Sequence, residues 1–111
     1  MNSALLANEA VAKSVLRTVA SAEATYQATE GNGSFGSLDQ LISTGLVSKE
    51  LMQNHGYKIE VTVSSNQFEA TAVPVEYSKS GRLSYFVNES VIVRGADHSG
   101  APATVADKPV Q

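Results

Sequence analysis

Apolar positions follow two different periods along this chain. Over residues 3 to 29, Leu5, Ala12, Val19 and Tyr26 recur every seven residues, and Val15, Leu16 and Ala22 fill the intermediate positions. This draws one apolar stripe on an alanine-rich segment without Gly or Pro, and it predicts a single long helix. Glu9, Lys13, Arg17, Ser21 and Gln27 fall largely off the stripe, and Glu9 with Lys13 has the spacing of a favourable helical ion pair. A helix of that length is a rod about 40 Å long. Gly31, Gly33 and Gly36 then end it and permit a tight reversal. Ser37 with Gln40 makes a capping box for a short helix whose buried face is Leu38, Leu41 and Ile42 and which Gly45 stops. "SKEL" from Ser48 adds one further turn.

Beyond residue 56 the period drops to two. "YKIEVTV" places Tyr57, Ile59, Val61 and Val63 on one face and Lys58, Glu60 and Thr62 on the other, which predicts a half-buried strand. Ser64, Ser65 and Asn66 read as its turn. Phe68, Ala70 and Ala72 read as a second strand ended by Pro74. "EYSKSGR" is a polar excursion, "LSYFV" a third strand, "NES" a turn and "VIVR" a fourth strand. The remainder is rich in Gly, Ala, Pro and Asp, without periodicity.

The pattern as a whole predicts an α+β fold: a long N-terminal helix packed on a small antiparallel sheet of about four strands, with a short second helix and an irregular C-terminal tail. One domain is expected over 1–111, with the long helix at about 3–29, the helix–sheet loop at about 30–56, the sheet at about 57–94 and the tail at 95–111. Val15, Val19, Ala22 and Tyr26 are the expected helix–sheet packing residues.

The chain has 111 residues, a formal net charge of −3 and no cysteine. Disulfides, thiolate metal sites and a cysteine nucleophile are thereby excluded within it. With no basic block, nucleic acid is not an expected partner, and no run approaches the roughly 20 apolar residues of a membrane span. His55 and His98 have no second histidine at metal-ligand spacing and are expected in surface or turn roles. No G-x-S-x-G elbow accompanies the serines, and "EGNGSFG" lacks the G-x-G-x-x-G of a nucleotide loop. The seven aromatics are expected to serve the core. "NES" at Asn88 fits the glycosylation pattern and is better explained as a hairpin turn. Nothing in these patterns calls for an enzyme. Asp97, Ser99 and Asp107, in an irregular loop of small residues, are oxygen donors of the kind calcium takes, although their spacing is not that of an EF-hand.

The ordered set "NEAVAKSVLRTVASAEATYQATEGNGSFGSLDQLISTGLVSKEL", "GYKIEVTV", "FEATAVPVEY" and "VIVRG" resembles the globular part of type IV pilin-like proteins, among them the major pseudopilins of type II secretion. The likeness covers about residues 8 to 95. It implies a non-enzymatic structural subunit of a type IV pilus or a secretion-type filament. Such a subunit polymerises with its own kind and with other pilins or pseudopilins, and separate cytoplasmic ATPases drive extension and retraction. It further implies contact with inner-membrane assembly machinery, an inner-membrane anchor with a periplasmic head before assembly, and an extracellular pilus or periplasmic pseudopilus afterwards. The resemblance also implies a methylated N-terminal residue, but the family's basic leader, peptidase cleavage site and hydrophobic half-helix with its early glutamate are absent from residues 1–10. The chain is therefore expected to be a head cut within the long helix. No cofactor is required, but family members can bind calcium in a C-terminal loop, for which Asp97 and Asp107 are the candidates. The competing expectations are a minor pilin or exported binding module that recognises a partner protein or surface, and a small enzyme, for which no convincing cleft residues are present.

Overall fold

In the computed structural model the described residues are 3–53, 56–64 and 66–110. His55 and Ser65 lie outside them. The fold is α+β. Helix α1 spans Ser3–Ala28, α2 spans Leu38–Ser43, and a 3-10 turn covers Glu50–Met52. Four strands follow: β1 (Tyr57–Ser64), β2 (Gln67–Pro74), β3 (Leu83–Asn88) and β4 (Arg94–Asp97). They form one antiparallel sheet in the order β1-β2-β3-β4.

The seven-residue stripe is the buried face of α1. Ala12, Val15, Leu16 and Val19 have no exposed surface, and Ala22, Leu5 and Tyr26 retain less than a tenth. All but Leu5 share one core with Phe68, Ala70 and Ala72 of β2 and Tyr85 and Val87 of β3. The alanines of β2 hold the helix close to the sheet. Each Val or Leu buried in this way contributes about 1.5–3 kcal/mol.

The break after α1 uses its glycines in two ways. Gly33 adopts φ +100 and donates its N–H to the Gln27 carbonyl at 2.8 Å, closing the helix C-terminus. Gly36 instead makes room for a ring, since a Cβ there would stand 2.9 Å from Tyr26. The capping box is present as read: Ser37 N–H donates to Gln40 Oε1 at 2.8 Å, and Gln40 N–H donates to Ser37 Oγ at 3.2 Å.

The fourth strand is displaced from its expected place. "VIVR" is not a strand. Asn88 Oδ1 accepts from Ser90 N–H, Ser90 Oγ accepts from Ile92 N–H, and Val91 sits at φ +65, so the turn runs on through Val91. Local side-chain bonds of this kind compete with the ladder. The strand begins only at Arg94, the last residue of that run, and continues to Asp97 in the segment expected to be irregular. Gly95 is required there, because a Cβ would approach the Tyr85 ring to 2.7 Å.

The tail after β4 is also more ordered than its composition suggests. Gly95 N–H donates to the Lys108 carbonyl at 3.0 Å and Val110 N–H to the Val93 carbonyl at 2.8 Å, so residues 108–110 line the outer edge of β4. Ser84 Oγ donates to the Ala101 carbonyl at 2.7 Å, which carries the tail across the sheet face opposite α1. Ser84 and Phe86 are buried on that face, which is why β3 is covered on both sides.

Candidate functional site

Glu9, Leu16 and Glu23 repeat every seven residues along one edge of the stripe. Leu16 is core. The two glutamates turn the same way and tie the two ends of α1 to the rest of the fold. Glu9 Oε2 accepts the backbone N–H groups of Arg82 and Leu83 at 2.9 and 3.0 Å. Its expected helical partner Lys13 is not engaged: the carboxylate is taken by two pre-aligned amides at the entry to β3, a better match than one flexible ammonium. Asn8 reinforces this junction by donating to the Ser80 carbonyl at 3.1 Å.

Glu23 is fully buried. Its Oε1 accepts from Gly36 N–H at 2.8 Å, while Oε2 has no partner. Burial raises its pKa above the ordinary carboxylate value, and the Gly36 bond opposes this only in part. Burial therefore disfavours the charged form at this site. The sequence signal for Glu23 was its seven-residue relation to Leu16, which places an acid on a core position.

Val15, Val19, Ala22 and Tyr26 all lie in the main core between helix and sheet. On the opposite face, Leu6 and Val11 are 49% and 40% exposed beside exposed Ala7, Ala10, Ser14, Arg17, Ser21 and Ala24. This outer face is a band of small side chains with two aliphatic knobs near its start. An open depression along it, lined by Ser14, Arg17, Ser21, Thr25 and Leu46, offers hydroxyls and one guanidinium.

The tail places the two candidate metal ligands in separate clusters. Asp97 accepts from the Tyr77 hydroxyl at 2.8 and 2.9 Å and from Ser99 N–H at 3.0 Å. Asp107 Oδ2 accepts from Thr104 N–H and contacts His98 Nε2, both at 2.8 Å. These donors hold both carboxyls below the usual carboxylate range: the Ser99 amide and then Tyr77 for Asp97, the Thr104 amide and then His98 for Asp107. Among the described residues no three His, Cys, Asp or Glu side chains converge to hold a metal. Each carboxylate already accepts hydrogen bonds from the protein itself.

Tyr77 was expected in the core and is instead 40% exposed, bound to Asp97. Tyr57 and Tyr85 are buried, 6.0 Å apart between ring centroids. Desolvation, with Glu9 nearby, pushes Tyr85 up to about 12 and Tyr57 higher still. Tyr57 consequently stays a neutral donor and gives its proton to the Leu83 carbonyl at 2.6 Å.

Compared with family models, with curated proteins and with solved structures, the chain finds no match.

Proposed function

We propose that this chain is the globular head of a pilin or pseudopilin and works by polymerising, without chemistry of its own. The observation that carries this reading is the two-sided construction of α1. One face is committed to the sheet, and the opposite face, with Leu6, Val11 and a band of small residues, is left open along the rod. Small side chains let a neighbouring backbone approach closely, and head-to-tail repetition of one contact makes an open helical polymer. The ordered likeness of residues 8 to 95 to pilin heads supports the same reading.

On this proposal the native subunit is anchored in the inner membrane by an apolar extension of α1, with its head in the periplasm. Assembly machinery then moves it into a pilus or pseudopilus beside other pilins. Labelling sheared filaments with an antibody to this head tests the role. Label along the whole length fits a principal subunit. Label at tips alone moves the reading to a minor, partner-binding pilin, and unlabelled filaments from producing cells overturn it.

A further inference from the structure

Strand β1 is an edge of the sheet, and among the described residues no segment pairs with its outer side. Its outward groups follow from the register. The Gly56 carbonyl accepts from Val75 N–H, and antiparallel bonding alternates every second residue, so Lys58, Glu60, Thr62 and Ser64 bond to β2. The N–H and C=O groups of Tyr57, Ile59, Val61 and Val63 point away from the sheet. Among the described residues no hydrogen bond is made to the outward groups of Ile59, Val61 or Val63.

The side chains of those residues extend the apolar layer of the core toward the same edge. Phe68, Ala70 and Ala72 on β2 are buried beneath α1, whereas Ile59, Val61 and Val63 are only half-buried because α1 lies over β2 and β3. The opposite face of β1 carries Lys58 and Glu60, 66% and 61% exposed and 3.8 Å apart.

We infer that β1 pairs antiparallel with β1 of a second copy, about a twofold axis through Ile59. Charge on an edge strand ordinarily blocks association. Here a Lys and a Glu two residues apart make the strand complementary to itself in one register. With Ile59 opposite Ile59, Lys58 of each copy faces Glu60 of the other, at the close non-hydrogen-bonded positions. Tyr57 faces Val61, and the outward backbone groups of Tyr57, Ile59 and Val61 are satisfied. The neighbouring twofold register, centred on Glu60, sets two carboxylates against each other and is disfavoured. This contact goes beyond the filament reading and does not depend on it. A polar filament repeats one orientation of its subunits, whereas a twofold contact joins opposed copies, either free heads or two filaments lying side by side.

Charge swapping tests the register directly, with sedimentation equilibrium as the readout and circular dichroism confirming the fold of every variant. The wild-type 111-residue chain is expected to form a reversible dimer below about 1 mM. By symmetry Lys58→Glu or Glu60→Lys alone damages both charge pairs and weakens self-association by about tenfold or more. An equimolar mixture of the two single variants, and separately the double variant K58E/E60K, restores a dimer near wild-type strength. A monomeric wild type at about 1 mM, or a dimer indifferent to the single reversals, or a mixture that stays monomeric, overturns the proposal.

Discussion

At the residue scale, the fold depends on a few side chains whose partners are backbone amides. Glu23 is the sharpest case: a fully buried carboxyl with one orphan oxygen, where burial disfavours the charged form. Its folded pKa lies above the unfolded value, so its contribution to stability is fully present below the ordinary carboxylate range and is lost as pH rises through the raised value. Glu23→Gln keeps an acceptor for Gly36 N–H and cannot ionise. In urea titrations across pH 4 to 8 the variant is expected to lack the Glu23-linked loss of stability seen in wild type; parallel profiles would place Glu23 outside the core. Val19 supplies the complementary test. It is fully buried at the centre of the stripe, and Val19→Asp introduces an unpaired buried charge, for a loss of about 3–5 kcal/mol. An unchanged melting temperature would remove that face of α1 from the core.

At the element scale, α1 is stapled to the rest of the fold at two points fourteen residues apart: Glu9 at the entry to β3, and Glu23 on the loop before α2. Glu9→Ala leaves two amides without their charged acceptor, and the expected cost is about 1–3 kcal/mol. Hydrogen exchange should quicken at the Arg82 and Leu83 amides and leave the amides of Ser37 to Gly45 unchanged; equal quickening at both places would mean general loosening. The long helix, the capping box and the first three strands were legible because each rests on a local period or a local cap. The fourth strand was not. "VIVR" has strong strand composition, yet the Asn88 and Ser90 side chains extend the turn, and the real strand "RGAD" is chosen by the Tyr85 ring lying on Gly95. The Tyr77–Asp97 and His98–Asp107 pairs joined residues 20 and 9 apart, distances at which no sequence period carries information. Both aspartates have lowered pKa values. The hold they give the tail is therefore present above the ordinary carboxylate range and weakens as pH falls through the lowered values.

At the scale of the whole molecule, the fold measures 46 × 29 × 20 Å, and its long dimension exceeds the roughly 40 Å of α1 only slightly. The helix is thus the molecule's axis, and a neighbour packing on its outer face would run along the full body. Outer helix face and β1 edge are separate surfaces, so the proposed polymer contact and the proposed twofold pairing do not compete for the same residues. The first is the central claim. It is tested most directly by the mass of the native protein's N-terminal peptide, taken from filaments sheared off producing cells. A filament subunit gives a methylated first residue followed by a hydrophobic stretch that runs into "NEAVAKSVLRTV". A native chain that starts near Met1 and is recovered only from the soluble fraction contradicts the filament role.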